Sequence, residues 1–198
     1  MSMKKRLSPH ESRAAALEAA RLLLIEQGPQ AVTLKAVAGR IERTHANLLH
    51  HFGSAGDLWK ALAVYMASGL CETIGHAVIG SRLGVLSPRE LVDLIFDAFG
   101  SEGGAALAAW LRLTGDAQAL DPIIEAITAM LDELNDLGSE AMLDVSHTLV
   151  LLALGDALVG HALSTALDVP RSTGRQMAER LLVAERERAG IVTTPALG

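Results

Sequence analysis

Cysteine is almost absent: Cys71 stands alone among 198 residues. That excludes an intrachain disulfide and a cysteine-rich zinc site, and it points to a reducing cytoplasmic setting. Aromatic residues are nearly as scarce, with one Tyr, two Trp and three Phe. The core must therefore be built from Ala, Leu, Val and Ile, a composition that favours helices and all but excludes an all-β fold. No long uncharged apolar run is present either. The most apolar stretch, Thr148 to Leu167, is interrupted by Asp156 and His161 and falls short of the roughly 18 apolar residues of a spanning helix. Lys4, Lys5 and Arg6 lead into further charges at Glu11, Arg13 and Glu18 instead of an apolar segment, which argues against a secretory leader. The expectation is a soluble cytoplasmic protein without a membrane partner.

The charge that is present is unevenly placed. Residues 1–60 carry nine Lys/Arg against five acids, whereas the remainder carries eight against eighteen. A basic head on an acidic body suggests that only the head meets a polyanion.

Helix punctuation is frequent. Ser8-Pro9-His10-Glu11 and Ser87-Pro88-Arg89-Glu90 are capping boxes with Pro at the first helical position, where hydroxyl and carboxylate satisfy orphan amides. Ala16, Leu17, Ala20, Leu23 and Leu24 form a helical stripe ended by Gly28-Pro29. Thr33 opens a short helix, Thr44 a third closed by Gly53, and Ser54 a fourth and longer one. Beyond Ser87, Glu90, Asp93 and Asp97 read as the narrow solvated edge of a mostly buried helix. Further helices carry Trp110; then Ile123 to Leu134; then a long run from Ser139 to about Leu167; and last Met177, Ala178, Leu181 and Leu182. The total is about nine helices, divided into a head, 1–57, and a body, 58–198.

Two short helices joined by a tight turn behind a longer one describe a helix-turn-helix, whose second short helix enters the major groove. At 100° per residue, Leu48 and Phe52 share one side of that helix, and Ala46, Asn47, His50 and His51 share the other. The outward set suits a groove: Asn pairs bidentately with adenine, and Ala46 permits close approach. His45 stands at the leading end. Thr33 and Lys35 are placed to touch phosphate at a helix N-terminus, with Lys4, Lys5 and Arg6 as a basic arm.

The segment from Arg13 to Leu62 resembles the DNA-binding head of TetR-family regulators. The residues that carry the resemblance are Thr33-Leu34-Lys35-Ala36-Val37-Ala38, Thr44, Asn47-Leu48-Leu49-His50-His51-Phe52, Ser54 and Leu58. It implies a homodimeric repressor of a palindromic DNA operator, without cofactor, whose central helices hold a small-molecule effector and whose last two helices form the dimer. Departures are visible. Glu42 stands where the family has Gly in the turn, with Arg43 next to it. Leu49 replaces a phosphate-reaching tyrosine, and Ala55 a lysine. His50, His51, Arg43 and Lys60 are the candidate replacements, and Thr44 opens the recognition helix.

In the body, Phe96, Phe99, Trp110 and Met130 are candidates for lining a ligand pocket, and Asp156 for bonding a ligand or pairing across a dimer interface with His161 or an Arg. Ala153, Ala157, Gly160 and Ser164 make a seam of small residues suited to a two-fold helix interface, joined by Met177 and Leu181 from the last helix. The seven histidines show no chelating spacing, and no nucleophile elbow or phosphate-binding Gly-rich loop is present. The rival reading is an all-α enzyme or small-molecule carrier with an incidental helix-turn-helix.

Overall fold

A computed structural model describes residues 8–114, 118–135, 141–188 and 190. The described residues hold nine α-helices and no strand, in agreement with the all-α expectation. Helix α1 (Pro9–Gln27) starts with the predicted capping box. The Glu11 amide donates to Ser8 Oγ at 3.2 Å, and the Ser8 amide donates back to the Glu11 carboxylate at 2.7 Å. Gly28 ends the helix at φ 83°, and a 3-10 turn, Pro29–Ala31, which the sequence pattern does not announce, leads into α2 (Leu34–Arg40). Then come α3 (His45–Phe52) and α4 (Ala55–Arg82), with Thr33, Thr44 and Ser54 as the hydroxyl caps of α2, α3 and α4. The body continues through α5 (Pro88–Phe99), α6 (Gly104–Leu113), α7 (Asp121–Asn135), α8 (Ala141–Ala166) and α9 (Thr173–Arg188). The expected helix start at Ser139, the basic arm at Lys4, Lys5 and Arg6, and the segment beyond Gly190 lie outside the described residues.

Two apolar clusters organise the chain. One gathers the α1 stripe with Val37, Leu48, Phe52 and the first turns of α4 through Met66, and it takes in Leu107 and Leu111 from α6. The packing of the head thus runs past the expected boundary at 57/58. The other cluster joins Leu91, Val92, Ile95 and Phe96 of α5 to Leu149 and Ala153 of α8 and to Ala178 and Leu182 of α9. Head and body also meet through Arg21 of α1, which pairs with Glu102 before α6 at 2.8 Å.

The acidic edge of α5 is more than a solvated stripe. Arg175 on α9 donates to Asp93 at 2.8 Å and to Asp97 at 2.6 Å, with its guanidinium 5.3 Å from the centre of the Phe96 ring. Partial burial alone would raise the Asp93 carboxyl pKa; Arg89 and Arg175 outweigh it and hold the group below its usual value. A row of acids thus docks α9 onto α5.

The small-residue seam of α8 also needs correction as a free surface. Ala153 is fully buried within its own chain and Gly160 is buried. A Cβ on Gly160 would meet Asp156 Oδ1 at 2.6 Å and Arg171 Nη1 at 2.9 Å. At Ala153 and Gly160 the seam accommodates neighbouring parts of the same chain, since small side chains serve any close approach, whereas Ala157 and Ser164 are half-buried. Opposite it, α8 exposes Leu151, Leu152, Leu158 and Val159, the outer three roughly half exposed. No atom lies within 4 Å of a Cβ built on Gly155. Measured by length and composition, Ala55–Arg82 and Leu143–Ala166 are each apolar enough to cross a membrane. The core helix of a soluble protein passes the same test.

Candidate functional site

The head presents a capped recognition helix. Thr44 Oγ1 accepts from the Asn47 amide at 3.2 Å, fixing the first turn of α3, and Thr33 Oγ1 does the same for α2 through Ala36 at 3.1 Å. From Glu42 through Ala46 every residue is exposed, as are Thr33, Lys35, His50 and Lys60. Behind this surface Leu48 and Phe52 are buried, so the two faces of α3 separate as the helical plot requires.

The turn keeps a left-handed residue although its glycine is gone. Glu42 lies at φ 54°, and the Arg43 amide reaches the Ala38 carbonyl at 2.9 Å, closing α2. A side chain in that region costs about 1–2 kcal/mol. Glu42→Gly is therefore expected to stabilise the chain by up to about 1 kcal/mol, after the entropy of the added glycine is deducted. It also removes an acid beside the groove face, so DNA affinity should rise; a thermal melt and a DNA titration check both.

Positive charge on the head is less free than the count suggests. Arg40 is paired to Glu26 at 2.7 Å, and Arg21 to Glu18 and Glu102 at 2.8 Å. Among the described residues of the head, Lys35, Arg43 and Lys60 carry no ion pair. Arg13 has a positioning part that periodicity did not reveal. Its guanidinium lies 4.5 Å from the Phe52 ring centre and donates to the His51 carbonyl at 2.9 Å, fastening the last turn of α3 to α1.

Asn47 departs from the simple picture. It is half-buried, and its Oδ1 is withdrawn from solvent without a hydrogen-bond partner. Reading adenine with both amide atoms requires the side chain to rotate outward, which relieves a buried acceptor that costs about 1–3 kcal/mol to leave unpaired. His50 is exposed and His51 half-buried, their rings 5.9 Å apart.

In the body a cavity of about 110 Å³ lies among α4, α5, α6, α7, α8 and α9. Phe99 and Met130 line it. The other expected pocket residues do not. Phe96 is packed in the second core cluster, Trp110 stacks on Trp59 at 5.6 Å, and Asp156 is bound to Arg171. Arg171 also donates to the Asp156 carbonyl at 3.0 Å; the carboxylate is thus used within the chain, by an Arg and not by His161. Of the last-helix residues, Met177 is exposed and Leu181 half-buried.

Two cavity residues escaped sequence reasoning, Arg82 and Arg186. Arg186 stands in Glu185-Arg186-Glu187-Arg188, a charge run that reads as a solvated face. It is instead 3% exposed.

Residues 16–62 match the family described as bacterial regulatory proteins, tetR family. The fold is shared with the multidrug binding protein EbrR in complex with ethidium, with a TM-score of 0.58 and 17% identity over 86% of this chain and 98% of that one. It is shared also with Thermus thermophilus FadR, a TetR-family transcriptional repressor in complex with lauroyl-CoA. There the TM-score is 0.52 and the identity 17%, over 94% of this chain and 99% of that one. No curated protein matches the chain significantly in sequence. The chain therefore carries a segment, 16–62, that matches the tetR-family model, within an all-helical fold shared with these two proteins.

Proposed function

We propose that this protein is a homodimeric, effector-responsive repressor that binds a palindromic operator in the cytoplasm. The observation that carries the reading is the exposed α2–α3 surface, with two hydroxyl-capped helix starts beside the unpaired Lys35, Arg43 and Lys60. Helix N-termini and free cations together attract phosphate. The exposed Leu151, Leu158 and Val159 on α8 suit a second copy, and dimers set the spacing of two half-sites. The cavity, about 110 Å³ and lined mostly by apolar side chains, is the place an effector would enlarge and fill. The small molecules held by EbrR and FadR support a similar use of this body.

The test is selection of bound sequences from random duplex DNA, followed by anisotropy titrations across salt. Affinity should fall steeply with salt, by roughly 0.9 log unit per log unit for each phosphate neutralised. The double variant His50→Ala/His51→Ala should weaken all sequences alike. Asn47→Ala should instead lose about 1–3 kcal/mol of base preference. Salt-insensitive binding, or none, would favour an all-α enzyme or carrier.

A further inference from the structure

The end of the body cavity farthest from the head is built unlike the rest. Along α4 its lining runs from Ala67 through Leu70, Ile74 and Val78, all apolar, to Arg82. At 1.5 Å per residue that is about 22 Å, long and narrow for a void of this volume. At the far end Arg82 and Arg186 both face the space.

Their hydrogen bonds leave positive charge over. Arg82 Nη1 donates to the Leu134 carbonyl at 2.9 Å. Arg186 Nη2 donates to Ser81 Oγ at 3.0 Å, and that hydroxyl donates on to the Leu86 carbonyl at 2.9 Å. Arg186 Nη1 is buried with no partner. Among the described residues no acid pairs with either guanidinium. Burial first, and the positive charge of Arg82 second, push the Arg186 guanidinium below its usual value. An unpaired buried charge is costly unless something neutralises it. Elsewhere in the body the chain supplies its own carboxylates, Asp93 and Asp97 for Arg175 and Asp156 for Arg171. Here it does not.

We propose that the cavity takes an apolar-tailed carboxylate, with the tail along α4 and the head group paired to Arg186 Nη1 and Arg82. A carboxylate offers two acceptor oxygens to neighbouring guanidinium donors, a short charge-assisted arrangement that no neutral or cationic head can reproduce. The present void is smaller than the roughly 150 Å³ that admits benzene in an apolar protein core, so a long tail enters by displacing α7, which lies along α4. The proposal rests on the reading of the body as an effector domain, and it adds the chemical class of the effector.

The experiment is calorimetric titration of the full-length protein with decanoate, decanol and decylamine. Wild type should bind decanoate at least about tenfold tighter than either analogue. Arg186→Met should lose that preference while keeping decanol affinity within about twofold, and its unliganded melting temperature should rise because the unpaired charge is gone. Should Arg186→Met fail to fold, Arg82→Gln must lower the preference several-fold and Arg186→Lys must keep part of it. Equal binding of decanoate and decanol by wild type, no binding of decanoate, or an unchanged preference in the variants overturns the proposal. A parallel titration of the DNA complex separates the two readings. Charge-selective binding without DNA release sustains the carboxylate site and defeats effector control. Release of DNA by decanol or decylamine but not by decanoate does the opposite.

Discussion

Replacing Leu158 with glutamate is expected to leave a folded chain that sediments as a monomer and no longer holds a two-half-site operator. Leu158 is 51% exposed, so the fold loses little when it changes. At 100° per residue it shares the outer face of α8 with Leu151, Gly155 and Ala162, directly opposite the buried Ala153 and Gly160. An isologous interface repeats each contact, so one substitution places two carboxylates in the contact. Burying them unpaired should cost about 4 kcal/mol or more in association, which weakens the dimer about a thousandfold. Sedimentation equilibrium at micromolar protein, with circular dichroism as the check on folding, reads the result. A persistent dimer would move the interface away from this face of α8.

Truncating Leu107 to alanine should lower stability by about 2–5 kcal/mol, the range for deleting a large buried side chain, and should also weaken DNA binding. Leu107 is 2% exposed, belongs to the head cluster and lines the body cavity. The comparison is Leu182→Ala. That side chain is equally buried and lines the same cavity, but it packs in the second cluster. Both variants enlarge the void and lower the melting temperature; only Leu107→Ala should reduce operator affinity and blunt the response to an effector. Equal DNA affinity in the two variants would show that α6 does not link cavity and head.

What the sequence disclosed was local. The caps at Ser8, Thr33, Thr44, Ser54 and Ser87 involve partners three residues away, and short spacings are readable directly. The apolar and outward faces of α3 follow from one helical period. The long-range pairings were hidden. Nothing near Arg186 in the chain indicates that it turns inward toward Ser81, and nothing near Arg175 that it reaches across to Asp93 and Asp97. The small-residue seam at Ala153 and Gly160 was visible as a seam, but small side chains do not say whether their neighbour is the same chain or another. Trp110, read as a pocket residue, found another tryptophan first. Long-range charge pairing and the choice of partner for a helix face are properties of the assembled packing, and helical periodicity carries no information on either.

The sharing of one apolar cluster between α1–α4 and α6 also bears on how the molecule is made. A ribosome releases the recognition helix well before it releases Leu107, Leu111 and Ala119, yet all three belong to the cluster that buries Leu48 and Phe52. A nascent chain halted after α4 therefore presents its groove-reading surface on an unfinished support, with apolar area exposed where α6 belongs. The α2–α3 surface gains its full support only once α6 has been synthesised, and a fragment cut at the family-matching segment, 16–62, lacks part of its own core.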